Sequence, residues 1–350
     1  MTSPIGDVLL VLRRAAGMTQ EELADRGGIP QAALSRYENN MREPDDETAE
    51  RLAAALKVTP RFLRNDFRMR GAVAADAHMR RQRTAKPSEW KRAEARVNEL
   101  RMHSTFLLNR VQLHPTHHVL QADPLDTPPQ DAARQQRAAW NMPIGPVRDL
   151  TAWIESAGVI VVEQDLATAR IDGMSQWAGD HAIILLNVHA PTDRKRLTLA
   201  HELGHLVMHS SHQDEDVEEQ ANAFAGEFLM PEHIIRPQLR TLTLGKLADL
   251  KQEWQVSMQA LIERAFHLGR LTANQRTTLY KQMTHRGWRK NEPDSARLPP
   301  ETPRLAGSVG RSLADAGLTD EEIHVLVGVA DNKTSPFIPP PEGLHPVPNH

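Results

Sequence analysis

The sequence predicts a multidomain fold: an all-α domain, then an α+β domain, then a helical C-terminal extension. Three observations carry this. Residues 5–66 run as short helical patterns with capping residues and no strand signal, β-branched and apolar runs cluster between 158 and 187, and helical periodicity returns after 191. The 350 residues leave room for two or three domains. A formal net charge of -3 and a sequence pI near 6.6 exclude a chain that coats nucleic acid along its whole length, while leaving local basic patches open. With no cysteine, neither a disulfide framework nor a thiolate metal site can form. The N-terminus lacks a basic stretch followed by a long apolar core, and no apolar run approaches the roughly 20 residues that cross a bilayer. The expectation is a cytoplasmic protein with no membrane partner.

Residues 5–66 have the spacing of a helix-turn-helix module. Thr19 reads as an N-cap, and Glu22 three residues on completes a capping box, so a helix opens at Gln20. Gly27-Gly28-Ile29 makes the turn, and Pro30 starts a second short helix over 31–37 with Ala33, Leu34 and Tyr37 available for packing. A loop over 38–44 and closing helices at 48–56 and 60–63 complete the domain.

Residues 67–130 read as a basic linker and a long amphipathic helix. Arg68, Arg70, Arg80, Arg81, Arg83 and Lys86 mark the linker, for which a solvated run is favoured over phosphate contact. Trp90, Ala93, Val97, Leu100, Ser104, Leu107, Leu108 and Val111 repeat at three and four, predicting a helix from 88 to about 113. The Pro- and Asp-rich stretch 121–130 marks a domain boundary.

The next domain, 131–240, is expected to hold helices at 132–140 and 146–157 and strands at 158–162, 171–177 and 182–187. The last strand reads as a buried or edge strand that would flank a cleft and pair with an extended substrate. Pro191-Thr192-Asp193 then opens a helix carrying His201-Glu202-Leu203-Gly204-His205. Two histidines four apart share a helix face and reach one metal ion, and the intervening glutamate sits where it can take a proton from water on that ion. The apolar stripe of Leu197, Ala200, Leu203, Leu206 and Val207 leaves His201, His205 and His209 along a neighbouring face.

A catalytic site needs a third protein ligand and an open position. Without cysteine, that ligand is His, Asp or Glu. A helix beginning near Asp216 puts Glu218 and Asn222 on one face, with Ala221, Phe224, Ala225, Phe228 and Leu229 packing inward. Glu218 is the candidate, and Glu219, about 100° further round, is the fallback. A third histidine beyond a glycine on the same segment would need Gly and His where Met208 and Ser211 stand, which excludes the metzincin pattern. The domain is therefore expected to be zincin-like, with Zn2+ as cofactor and Mn2+ as the alternative. Such an ion lowers the pKa of bound water to roughly 7, and Glu202 would act as general base in peptide-bond hydrolysis without a covalent intermediate. Candidates for the oxyanion donor are His209, His181 and Arg196.

Residues 241–305 form a helical region. Its 244–254 and 258–268 segments, with Ser257 as N-cap, repeat the helix-turn-helix length, but packing that completes the peptidase domain is favoured there over DNA contact. In the extension 306–350, a helical segment over 304–329 precedes a Pro-rich end from Ser335 that is expected to be disordered.

The N-terminal segment resembles the Cro and phage-repressor class of helix-turn-helix domains. That resemblance implies that Gln31, Ala32, Ser35 and Arg36 face base edges or phosphates of a DNA operator, that Gln20, Asn39 and Arg42 hold the backbone, and that the chain is a homodimer reading two half-sites. Taken with the segments 194–205 and 218–231, Ile144-Gly145-Pro146, Ile171-Asp172-Gly173, Gly287-Trp288-Arg289 and Glu292-Pro293, the chain resembles the ImmA/IrrE family of metallo-endopeptidases fused to an Xre-type helix-turn-helix. The match covers nearly the whole chain and weakens after about residue 305. It implies His201, His205 and Glu218 as metal ligands, Glu202 as catalytic base, and a helix-turn-helix repressor or an antitoxin-like protein as substrate. A second reading is a transcriptional regulator whose metal domain senses or stabilises and cuts nothing.

Overall fold

The computed structural model describes residues 5–67, 86–209, 216–330 and 333–338. These form two compact units, one from 5–67, 94–113 and 304–338, the other from 86–93 and 114–303. The basic run 68–85 and the Pro-rich end from 339 lie outside the described residues, except that 333–338 are described and Phe337 is buried.

In the first unit, helices α1 (Ile5–Ala16), α2 (Gln20–Gly27), α3 (Gln31–Glu38), α4 (Asp46–Leu56) and α5 (Pro60–Leu63) follow in order. The capping box is present: Glu22 N donates to Thr19 Oγ1 at 3.1 Å and Thr19 N to Glu22 Oε2 at 2.7 Å. Gly28 ends α2 at φ +62°, a left-handed conformation that glycine adopts without strain. Helix α4 starts two residues earlier than expected because Asp45 accepts from Thr48 N and supplies the cap. Val8, Leu9, Leu12, Leu23, Leu34, Leu52, Phe62 and Leu63 make the core, joined by Met102 and Phe106 of the long helix α6 (Pro87–Leu108).

Helix α6 stops short of the expected 113. Arg110 turns back to donate to the Phe106 carbonyl and lies over the Phe106 ring at 4.1 Å, closing the last turn. The expected helix over 304–329 is two, α15 (Leu305–Asp315) and α16 (Asp320–Val327), broken where Gly317 takes φ +93° and Thr319 caps a new start. After α16, Thr59 N donates to Gly328 O and Ala330 N to Lys57 O, both at 3.1 Å, around a Val58–Val329 bridge.

His103 of α6 is buried there, stacked on Phe62 at 4.3 Å, with Nδ1 donating to Val327 O at 2.8 Å. Its Nε2 has no hydrogen-bond partner. Burial pushes its pKa down to about 4. The imidazole is therefore neutral in the fold, while an unfolded chain takes up its proton near pH 6.5. Below that pH the unfolded state binds more protons, so stability is expected to fall from about pH 6.5 to about pH 4, by on the order of 3 kcal/mol in all. Urea melts at several pH values check this, and His103→Phe should flatten the slope in that window.

In the second unit, α7 (Pro129–Ala139) and α8 (Leu150–Ser156) precede a mixed sheet of β1 (Ile160–Gln164), β2 (Gly173–Ala178) and β3 (His181–Asn187). The strand order is β1-β3-β2, with β1 parallel and β2 antiparallel to β3. Strand β1 begins two residues later than expected because Gly158, at φ +76°, ends the preceding helix rather than opening the strand. The sequence reading that the 182–187 strand pairs with substrate is corrected. Strand β3 is central and both its edges are used, which its uniformly apolar residues on both faces explain; β2 is the edge strand beside the site.

Helix α9 (Thr192–Met208) packs on the sheet and on α10 (Val217–Leu229). The short α11 (Glu232–Ile235) and helices α12 (Leu244–Trp254), α13 (Met258–His267) and α14 (Ala273–His285) complete the unit. Leu247, Trp254, Met258, Leu261 and Ile262 are fully buried in its core, the packing role favoured for this region.

Two buried polar clusters tie its loops down. Lys251 of α12 has no exposed side-chain surface and donates to Asp193 at 2.6 Å, Glu292 at 2.9 Å and Ser295 at 2.7 Å. Buried Arg196 donates to Gln255 O at 2.9 Å, Val147 O at 2.7 Å and Glu301, whose other oxygen accepts from Thr151 N at 3.0 Å.

Candidate metal centre

Helix α9 presents His201 and His205 one turn apart, with their Nε2 atoms 3.0 Å from each other. Glu218 in the first turn of α10 brings Oε2 to 3.5 Å from His201 Nε2 and Oε1 to 3.3 Å from His205 Nε2. All three side chains are buried. A tetrahedral ion with ligand bonds of about 2.0–2.1 Å requires donors about 3.3 Å apart, so this triangle fits a divalent metal without rearrangement. Two imidazoles and a carboxylate are also a donor set that leaves a position open. Glu219, the other glutamate at this end of α10, is exposed.

The imidazoles are held from behind. His201 Nδ1 lies 3.0 Å from Asn222 Oδ1, and His205 Nδ1 lies 2.9 Å from His209 Nδ1, whose Nε2 is 2.8 Å from Gln220 Oε1. A nitrogen that faces a metal must keep its lone pair, so Nδ1 of each ligand carries the proton and donates outward. His209 then accepts at Nδ1 and donates to Gln220 from Nε2. Burial pushes the His205 pKa down to about 3, consistent with a neutral ligand. Burial also works against the charged form of His201, yet Glu218, Glu202 and Asn222 together hold its pKa above the ordinary value. The field that favours a proton there also favours a cation.

Glu202 points towards β2, where the buried Ser175 donates to Glu202 Oε2 at 2.7 Å. Gly173, Ser175 and Trp177 alternate along β2 towards α9: Trp177 Nε1 donates to Leu206 O at 3.3 Å, and a Cβ on Gly173 would come within 2.7 Å of Thr198. Gly204 does the same work on the other side. A Cβ there would sit 3.1–3.2 Å from the Phe224 ring, so the glycine in the middle of the motif lets α10 approach closely enough for Glu218 to reach both histidines.

Among the residues considered for the oxyanion, His209 is engaged with His205, and Arg196 with Glu301 and two carbonyls. His181 opens β3 half-buried, and burial lowers its pKa. Sequence reasoning did not find Ser175, Gln220 or the packing role of Gly204.

In the helix-turn-helix unit, Gln31, Ala32 and Arg36 are exposed on α3, Ser35 is half-buried, and Asn39 and Arg42 are exposed just after it. Gln20 accepts from Gln31 Nε2 and donates to Glu38 Oε2, each at 2.8 Å, and Arg13 holds Glu38 at 2.5 and 2.7 Å. Asn39 Nδ2 donates to Ser35 O at 2.7 Å. The ladder from Arg13 fixes Gln31 at the head of α3.

Two segments of the chain match known protein families. Residues 154–266 match the family model described as IrrE N-terminal-like domain, and residues 10–63 match the one described as Helix-turn-helix. The order of the two matches, helix-turn-helix first and IrrE-like domain second, supports the ImmA/IrrE architecture. Radiation response metalloprotease IrrE of Deinococcus radiodurans is 31% identical over 99 residues, covering 24% of this chain and 30% of its own. An uncharacterized HTH-type transcriptional regulator of Bacillus subtilis, RghRB, is 46% identical over 57 residues, 16% of this chain and 41% of its own. The chain thus spans less than half the length of either curated relative. The chain joins a helix-turn-helix segment to an IrrE-like domain of a metallopeptidase family. Among the described residues, no helix is long and apolar enough to cross a membrane.

Proposed function

We propose that this protein is a metal-dependent endopeptidase that regulates transcription by cutting a helix-turn-helix repressor or antitoxin-like partner at a specific site. The observation that carries the reading is the convergence of His201, His205 and Glu218 on one point with Glu202 beside it. These three residues would hold zinc, or manganese in its place. A bound divalent ion supplies Lewis acidity towards the scissile carbonyl and activates water near neutral pH. Glu202 takes the proton as water adds to the carbonyl carbon, then delivers it to the amine nitrogen as the C–N bond breaks. Ser175 holds the Glu202 carboxylate in place for both transfers. The outer edge of β2, the last strand of the sheet among the described residues, would offer backbone groups to an extended substrate segment.

The helix-turn-helix module supports a regulatory rather than a digestive role: Gln31, Ala32, Ser35 and Arg36 would read an operator, with Gln20, Asn39 and Arg42 supporting the contact. With zinc or manganese, the purified protein is expected to cut a helix-turn-helix repressor encoded in its own genome, with neighbouring genes tried first, and Glu202→Gln to lose at least about a hundredfold in rate, within the range general acid–base catalysis supplies. Intact mass of the repressor checks both. Equal cleavage by the two forms would remove the peptidase reading. No cleavage by either, with operator binding that responds to metal, would favour a regulator whose metal domain is sensory.

A further inference from the structure

Positive charge is concentrated at one place in the second unit. From Arg270 to Lys290 the sequence has six Lys and Arg residues and no Asp or Glu, leaving the rest of a chain of net charge -3 with nine negative charges in excess. The segment covers α14 and the turn after it. An open groove of about 800 Å3 runs between α13 and α14, lined by Gln259, Arg276, Tyr280, Lys281, Thr284 and Arg289, among others.

The one acidic residue in the groove is Glu263. It is engaged by Arg276 at 2.9–3.0 Å and by the Tyr280 hydroxyl, which donates to it. Lys281, Arg286, Arg289 and Lys290 are exposed and form no ion pair with a described carboxylate. Arg289 is nevertheless ordered by neutral contacts: its guanidinium lies over the Tyr280 ring at 4.2 Å, and its carbonyl accepts from Gln259 Nε2 at 3.2 Å. Thr277, Lys281 and Thr284 fall at successive helical turns on the groove side of α14; the two hydroxyls donate to Ala273 O and Tyr280 O, each at 2.9 Å, which leaves the Lys281 ammonium as the donor of this row.

We propose that this groove binds the sugar–phosphate backbone of duplex DNA, giving the peptidase unit a sequence-independent contact of its own. Two features select this occupant over an acidic protein partner. The lining has no aliphatic side chain, and its one aromatic ring, Tyr280, is covered by Arg289 at 4.2 Å with its hydroxyl given to Glu263, so a peptide finds no open apolar anchor. The charged donors that no described carboxylate engages, Lys281 and Arg289, are of the kind that contact phosphate without reading sequence. Helices α12 and α13, whose spacing resembles a second helix-turn-helix, keep their apolar faces in the core; the polar outer surface of α13 and α14 makes the contact.

The test is anisotropy of a labelled duplex of about 20 base pairs and scrambled sequence, titrated with the full chain at several salt concentrations. Each phosphate contact contributes about 0.9 to the salt slope, so Lys281→Glu with Arg289→Glu should reduce that slope by about 2 and weaken binding at low salt by about tenfold or more. Lys281→Arg with Arg289→Lys should keep both. In a chain carrying Arg36→Ala the same charge reversal should cost the same factor, because the groove acts separately from the recognition helix. Since both residues are exposed, the thermal midpoint and metal content should stay at wild-type values. Should charge reversal destabilise the fold, Lys281→Ala with Arg289→Ala should show the same direction at smaller size. Unchanged affinity and slope in the reversed or alanine chain would overturn the proposal. So would binding of polyglutamate as tight as that of the duplex, which would assign the groove to an acidic protein.

Discussion

Glu218→Gln is expected to abolish useful metal binding while Glu219→Gln leaves it unchanged. Outer-shell partners of metal ligands are worth about 10- to 100-fold in affinity, so loss of a ligand carboxylate should exceed about a hundredfold. His209→Ala and Gln220→Leu, which remove the support behind His205, should fall within that 10- to 100-fold range. Chelator competition with a zinc-sensitive dye measures all four. The metal-free protein should still melt cooperatively, because Gln keeps the volume of Glu218 in its buried site. The rise in melting temperature that metal confers on the wild type should vanish. A metal-binding Glu218→Gln protein alongside a defective Glu219→Gln protein would reassign the third ligand.

Lys251→Met should unfold the second unit more readily than any loss at the metal centre. Its ammonium is the common partner of Asp193 and Glu292, whose side chains are 2% and 5% exposed, and its removal strands both. Breaking a buried pair by deleting one partner costs about 3–5 kcal/mol. Glu292 also accepts from Met258 N at 2.7 Å and Gln259 N at 3.1 Å at the head of α13, so the damage should spread to that helix. Adding Asp193→Asn and Glu292→Gln to Lys251→Met should recover most of the loss, since an amide oxygen still accepts from those backbone groups. Urea unfolding of the single and triple variants decides it. A single variant within about 1 kcal/mol of wild type would mean that water reaches the carboxylates.

What was legible in the sequence is what local chemistry decides. The capping box at Thr19 and Glu22, the Ser257 cap and the four-residue histidine spacing each depend on one helical turn, and each is found where the residues indicate. Glu218 as the third ligand follows from helix phase together with the family resemblance. Strand order did not follow, because a run as apolar as Ala182–Leu186 looks the same at the centre of a sheet or at a covered edge. The relay from His205 through His209 to Gln220 was hidden for another reason. It joins two helices whose relative rotation is set by how closely Gly204 admits Phe224. The packing of α15 and α16 with the helix-turn-helix unit rests on contacts such as His103 to Val327, 224 residues apart, for which no local pattern exists.

The absence of sulfur from the metal centre has a consequence for its chemistry under oxidative stress. Thiolate-ligated zinc is lost when peroxide converts cysteine to sulfenic acid or disulfide, which turns such sites into oxidant sensors. Imidazole nitrogen and carboxylate oxygen have no corresponding step on that ladder, and Met208, the nearest thioether in sequence, is fully buried. A zinc centre made of His201, His205 and Glu218 would therefore lack the thiolate route to metal release, and an oxidant signal would have to act on it by another route.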